Sequence, residues 1–145
     1  MKKHFSDKIK TRAFELGFEK VGISRAEPIS KEKENLEAWI NDNGHASMEW
    51  VVKRKKERGD IHSYFPDAKS VISVGMNYYN GMNQSDLNSD YKFSNYAWGD
   101  DYHEVLKVRL ISLLEWVKVK YPNVKGLACV DTSPLMEKVW AQKAG

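Results

Sequence analysis

The chain has 145 residues, of which 41% are hydrophobic and 30% are charged, a composition typical of one globular domain with its own core. Its single cysteine excludes an internal disulfide and any metal site made only of cysteines from this chain. The net charge of +3 permits nucleic-acid binding without indicating it. No apolar run approaches membrane-spanning length and the start lacks a secretory signal, so we expect a cytoplasmic protein that does not bind membranes.

The first half of the chain predicts helices and strands in alternation. Apolar residues at helical spacing indicate a helix over residues 6–16, and residues 18–24 (FEKVGIS) are typical of a short strand. Ser30 is expected to cap a second helix that runs to about Asn41. Residues 69–79 are almost continuously apolar, which predicts an inner strand covered on both faces.

A dense run of positive charge, KRKKER, occupies residues 53–58. Most such runs are the solvated face of a helix. The alternative is an anion site for phosphate or an RNA backbone. Arg58 differs from the rest of the run because Gly59 and Asp60 predict a turn after it, and an arginine at a turn can be aimed at a ligand.

Residues 80–90 are rich in Asn, Ser, Gly and Asp and predict a mobile loop. Aromatic side chains then crowd the next stretch, with no single period: Tyr91, Phe93, Tyr96, Trp98 and Tyr102. They could form a pocket wall for a large flat ligand, or they could fold back to cover the core. The sequence supports these two interpretations equally.

The longest predicted helix covers roughly residues 101–120 and is capped by Asp100 or Asp101. Its apolar stripe is so wide that we expect a central, well-buried helix. The members of the stripe at the helical repeat are Leu106, Leu110, Leu113 and Val117.

The C-terminal stretch, residues 126–145, predicts a strand, a sharp turn and a helix. Residues 127–130 are a short apolar run suited to a buried strand. The following Asp-Thr-Ser-Pro is typical of a helix start, so Asp131 lies where a core strand ends and a helix begins. Ligands of α/β proteins usually bind at such points, although a plain helix cap is the alternative. The final Ala-Gly suggests a cut inside a larger protein.

In total the pattern predicts about three strands and five helices, which indicates an α/β (α+β) fold with a mixed sheet covered by helices over residues 1–145. Glycine-rich dinucleotide and phosphate-loop motifs are absent, as is a serine nucleophile elbow. The four histidines lack metal-ligand spacing, so no metal site is expected.

Several stretches, taken together and in order, resemble the N-terminal domain of epoxyqueuosine reductase, a cobalamin- and iron–sulfur-dependent oxidoreductase of queuosine biosynthesis. They are GFEKVGIS, GHASMEW with the basic run after it, PDAKSVISVGMNYY, FSNYAWGDDYH and VDTSPLMEKVWAQKAG, and they cover nearly the whole chain. The resemblance implies a fold related to the nitroreductase-like cobalamin domain of reductive dehalogenases.

The resemblance also implies a function. The family reduces epoxyqueuosine to queuosine at the wobble position of tRNA, using cobalamin that receives electrons through 4Fe–4S clusters. Those clusters belong to a cysteine-rich domain that is not in this chain, so the chain would be the cobalamin-binding half and inactive alone. The implied partners are tRNA and an electron-donor protein or other reductant, and the protein is expected to be a monomer.

Asp131 matches the family's proton-donating aspartate, which lies against the cobalamin. A carboxylic acid kept protonated by burial could protonate the oxygen that leaves the epoxide. The other candidates match cobalamin-contacting positions or lie in the motif expected near the cleft: Arg58, Ser94, Tyr96, Asp101, Tyr102 and His103.

The chain departs from the family pattern at Asn95 and Asp100, where the family usually has cations. If those cations meet cofactor or tRNA phosphate, affinity should fall. Two other hypotheses therefore stay open. One is a truncated, non-catalytic module that binds a corrinoid or a partner chain, and the other is an unrelated α/β domain whose aromatic residues are all core.

Overall fold

A computed structural model describes residues 2–86 and 90–145, and it describes only the backbone of Lys2 and Lys3. The predicted mobile loop at 80–90 therefore lies partly outside the described residues. The described chain forms these elements in order: α1 (Lys2–Glu15), β1 (Lys20–Arg25), α2 (Ser30–Asn41), α3 (Glu49–Lys53), α4 (Lys55–Gly59), α5 (Ile61–Tyr64), β2 (Ser70–Gly75), α6 (Tyr102–Lys120) and α7 (Glu137–Ala144). Single 3₁₀ turns occur at Gln84–Asp86 and Asn95–Ala97.

The sheet consists of β1 and β2 in the described part of the chain. They pair antiparallel, with Lys20 opposite Gly75 and Arg25 opposite Ser70. The predicted third strand at residues 127–130 is wrong, because this segment has no ladder partner among the described residues. For the same reason β2 is not the predicted inner strand. It pairs with β1 alone, and most of its side chains are half-buried rather than buried.

Helices cover both faces of this sheet, as predicted. On one face, β1 and β2 pack against α1 and α6 around the buried residues Ile9, Ala13, Phe18, Leu113 and Val117. On the other face, Val71 packs with α5, α7 and the loops around Ala26, Ile29, Ile61, Ala68 and Trp140. The alternation of side chains along each strand produces these two clusters, since successive residues face opposite sides.

The long helix α6 is confirmed, with Asp101 as its cap: the Asp101 carboxylate accepts a hydrogen bond from the His103 backbone N–H at 2.8 Å. The prediction that it is well buried is wrong for most of its length. Leu113 and Val117 are buried, whereas Val108 is 65% exposed. A sheet of two strands is too narrow to cover more than one stripe of the helix.

Two predicted caps are wrong. Ser30 is the first residue of α2 rather than its cap, and Ile29 before it makes no side-chain capping bond. Helix α7 begins at Glu137, so Asp131 is not its cap. Residues 131–136 form a connection of bends in place of the predicted first helical turn. Among the described residues, no helix is both long and apolar enough to cross a membrane.

Candidate functional site

Asp131 lies on the connection that leads into α7, in a backbone conformation that is uncommon for residues other than glycine. Its φ is +53°, in the left-handed region. Its backbone N–H donates to the Glu137 carboxylate at 2.7 Å. Because Glu137 is the first residue of α7, the helix start holds the turn that carries Asp131.

The start of α6 brings two further side chains to Asp131. The Tyr102 hydroxyl donates to Asp131 Oδ2 at 2.5 Å. His103 Nε2 is 3.7 Å from the same oxygen, and His103 Nδ1 is 2.8 Å from Asp101 Oδ1. We refer to Asp131, Tyr102, His103, Asp101 and Glu137 as the Asp131 cluster. It joins carboxylates, an imidazole and a phenol that can exchange protons.

One further contact fixes the distance between the two segments of the cluster. Lys107, one turn after His103 on α6, donates from Nζ to the Ala128 carbonyl oxygen at 2.7 Å. This bond ties α6 to the segment just before Asp131.

Exposed aromatic rings extend from the cluster. The Tyr96 ring meets Tyr102 edge-on at 5.9 Å between centroids, and Tyr78 meets Tyr96 edge-on at 6.4 Å. Tyr78 is 65% and Tyr96 52% exposed. The interpretation that the aromatic stretch covers the core is therefore wrong for Tyr96, and also for Tyr91 and Phe93, which are exposed. An exposed row of rings beside ionisable groups suits a large flat ligand.

The cluster shifts the pKa values of several of its members. The hydrogen bond to Asp131 is the main cause that raises the pKa of Tyr102 from its ordinary 10.0 to about 12. The bond from the His103 backbone N–H, followed by that from its ring, lowers the pKa of Asp101. Loss of hydration is the largest influence on Glu137 and raises its pKa, against the opposing effect of the Asp131 N–H.

The Asp131 side chain itself is 65% exposed. The described residues therefore do not bury this carboxyl, and burial in the longer protein stays a prediction.

Among the described contacts, none joins Arg58 to Asp131. The Arg58 guanidinium lies over the Trp50 ring, 4.9 Å from its centroid. Its Nε is buried and has no hydrogen-bond partner in the described part of the chain. The preceding charges of the run, residues 53–56, are exposed, as a solvated helix face requires. Glu57 and Arg58 are half-buried, and Arg58 lies inside α4 rather than at the predicted turn.

Ser94 and Tyr96 lie together at the 3₁₀ turn Asn95–Ala97. The Ser94 carbonyl accepts the Ala97 N–H at 2.9 Å, while its exposed hydroxyl makes no capping bond. Ser94 is thus two residues from the ring row. Nothing in the sequence pattern predicts Glu137 as a member of the site. Its position six residues after Asp131 has no periodic signal, because the contact depends on the irregular connection between them. No group of three or more His, Cys, Asp or Glu in residues 2–86 and 90–145 could hold a metal ion.

The raised pKa of Tyr102 can be tested directly. We expect Asp131→Ala, which removes the acceptor, to return it from about 12 towards its ordinary 10.0, because the hydrogen bond to Asp131 is the main cause of the shift. Folding raises this pKa, so the interaction stabilises the fold below pH 10 and is lost as pH rises through about 12. Carbon NMR of the tyrosine Cζ atoms, with Tyr102→Phe to assign the resonance, measures the titration. An unchanged midpoint in Asp131→Ala would contradict the contact.

Glu137 provides a second prediction about the same cluster. Glu137→Ala removes the acceptor for the Asp131 N–H, and we expect exchange of that amide to rise about tenfold to a hundredfold, as for loss of a bond to a charged group. Glu137→Gln is the matched control, because it keeps an oxygen acceptor. Amide exchange followed by NMR checks both variants. Equal exchange rates in the Ala and Gln variants would exclude the bond to Glu137 as the cause of slow exchange at the Asp131 amide.

Comparison with known proteins gives consistent matches. The family model described as "Epoxyqueuosine reductase QueG, DUF1730" matches residues 58–132. Epoxyqueuosine reductase of Cellulophaga algicola is 40% identical over 144 residues, which are 99% of this chain and 46% of that protein. The chain thus spans under half the length of this curated relative.

Solved structures match in fold. Epoxyqueuosine reductase from Streptococcus thermophilus superposes with a TM-score of 0.79 at 24% identity, covering 97% of this chain and 38% of that one. A crystal structure of epoxyqueuosine reductase with an epoxyqueuosine-modified tRNA-Tyr stem loop gives a TM-score of 0.78 at 23% identity, with 98% and 38% coverage.

Proposed function

Because this chain belongs to the epoxyqueuosine reductase family, we propose that it is the cobalamin-facing domain of an enzyme that reduces epoxyqueuosine to queuosine in tRNA. The observation that carries the proposal is the Asp131 cluster with its exposed row of rings. Since the chain spans under half of a curated relative, the activity belongs to a longer protein. Residues 1–145 would be one domain of it, with 4Fe–4S clusters in the remainder.

The side chains present fit a corrinoid. Tyr78, Tyr96 and Tyr102 offer exposed apolar ring surface next to Asp131. The Arg58 Nε is buried and has no acceptor among the described residues, and a cobalamin side-chain amide or phosphate would supply one. Ser94 would add a hydroxyl at the edge of the rings. When bound, cobalamin would supply the reducing electrons that it receives from the clusters.

In this proposal, the residues of the chain itself donate and return protons. Opening the epoxide to an alkene and water consumes an electron pair and two protons, because the carbon–oxygen bonds break and the oxygen departs as water. Asp131 would give a proton to the departing oxygen. Tyr102 holds Asp131 Oδ2 in place, and His103 lies between Asp101 and Asp131. His103 would return a proton from solvent to Asp131 after each turnover.

Other features of the proposal follow from the family resemblance. The substrate would be tRNA, which places the enzyme in the cytoplasm, and an electron-donor protein or other reductant would reduce the clusters. The protein would act as a monomer with the nitroreductase-like fold of corrinoid enzymes. A non-catalytic corrinoid- or partner-binding module is the second candidate, favoured by neutral Asn95 and acidic Asp100 at places usually occupied by cations.

Titration of the purified chain with cob(II)alamin, followed by visible spectroscopy and calorimetry, tests the cofactor proposal. We expect saturable binding that Arg58→Ala weakens about tenfold or more, the effect of losing a charge-assisted bond. Arg25→Ala is the matched control, since its side chain is 87% exposed. Absence of binding both here and after joining the chain to the rest of the Cellulophaga algicola relative would contradict a corrinoid site.

A further inference from the structure

In the part of the chain that the structure describes, the outer edge of β2 carries backbone groups with no ladder partner. The Ala26 N–H donates to the Lys69 carbonyl at 3.1 Å, which makes these two residues a hydrogen-bonded antiparallel pair. Since bonded and non-bonded pairs alternate, Val71 and Ser73 bond to β1. The residues that alternate with these bonded positions direct their N–H and C=O groups away from β1. No third strand meets them in the described chain. These outward residues are Ser70, Ile72 and Val74.

An apolar groove of about 530 Å³ lies along this edge. One wall is β2, another is the apolar stripe of α6, and a third is the segment 126–129. Trp140 and Ala141 of α7 close one side. Unpaired strand edges invite a further strand, and the groove offers apolar surface for the alternate side chains of such a strand.

We propose that this groove receives a β-strand from the part of the same longer polypeptide that lies outside these 145 residues. This chain matches 46% of the Cellulophaga algicola relative. The other part of a protein of that length is long enough to supply such a strand. The end of α7 is also near the groove: a Cβ on Gly22 in β1 would lie 2.6 Å from the Ala144 Cβ. The position beyond β2 is about 10 Å from β1, a distance that about three extended residues span.

The connectivity supports this occupant over others. Segment 126–130, helix α7 and the new strand would form a β-α-β unit, in which a helix links neighbouring parallel strands. The apolar residues 127–130, which predicted a strand but lack a partner, would then gain one. The missing third strand of the sequence prediction therefore forms when the groove is filled.

Amide exchange measured by NMR tests this inference within one strand. In the 145-residue chain we expect the Ile72 and Val74 amides to exchange at least about a hundredfold faster than those of Val71 and Ser73, which are bonded to β1. The chain is then extended with the residues that follow the matched region in the Cellulophaga algicola relative. The first extension has about 12 residues, enough for a strand and its connection, and the series continues to the whole remainder.

Extension should slow exchange at Ile72 and Val74 at least about tenfold, while the same extension with prolines at alternate positions should not, because proline cannot donate to a ladder. The Val71 and Ser73 amides report whether the fold is retained. Fast exchange of Ile72 and Val74 at every extension length overturns the proposal, as does slow exchange in the unextended monomer. Slowing that depends on concentration would identify a second copy as the occupant and also overturn it. Asp131→Asn should not alter these rates, so the test is independent of the proposed chemistry.

Discussion

Asp131→Asn is expected to reduce turnover about 10²–10⁴-fold, the usual contribution of a general acid, while cob(II)alamin binding is unchanged. Asparagine tolerates the left-handed backbone at φ +53° and keeps an oxygen that can accept from Tyr102. It lacks only the acidic proton. The assay is single-turnover conversion of an epoxyqueuosine-containing tRNA stem loop by this domain joined to the rest of the Cellulophaga algicola relative, with cobalamin affinity measured on the same samples.

Asp7→Asn is the control for that experiment. Asp7 lies on α1, far from Asp131 in the sequence, and its carboxylate is not a member of the Asp131 cluster. This variant should react at the unmodified rate. Unchanged turnover in Asp131→Asn would remove Asp131 as the acid, and a parallel loss of cobalamin affinity would assign it a binding role instead.

Trp140→Ala is expected to lower the free energy of unfolding by about 3–5 kcal/mol, the usual cost of emptying a large buried aromatic site. Trp140 is 2% exposed and fixes α7 to the cluster around Ile29 and Ile61. The loss approaches the total stability of many small domains. Urea unfolding of the 145-residue chain, followed by circular dichroism, measures it.

Trp50→Ala is the matched control, because Trp50 is 57% exposed and loses mainly its contact with Arg58. Its cost should be about 1 kcal/mol or less. Equal losses for the two tryptophans would contradict the packing of α7 against the sheet. The comparison also bears on the site, since α7 carries Glu137 and thereby holds Asp131.

Local signals predicted much of this fold. The bounds of α2 and α6 and the Asp101 cap follow from helical periodicity and side chains a few residues apart. Asp131, Tyr96, Tyr102 and His103 were grouped by family motif, and the structure brings them together. Their roles remain a prediction, because no ligand contact tests them.

Nonlocal partners explain what the sequence did not predict. The apolar run at 127–130 has strand-like residues, yet a strand exists only where another pairs with it. Glu137 accepts from Asp131 across an irregular connection, which periodicity cannot detect. The exposed fraction of the Asp131 side chain depends on which groups pack against it, and the local sequence does not contain that information.

The left-handed backbone of Asp131 places a cost in stability at the residue that is proposed as the acid. Glycine adopts that conformation without steric cost, whereas most other residues lose up to roughly 1–2 kcal/mol there. A laboratory selection for heat resistance that ignored activity would therefore favour glycine at this codon. Under the proposed role of Asp131 those variants would be inactive, and a selection for queuosine in the cell would retain aspartate at a lower melting temperature.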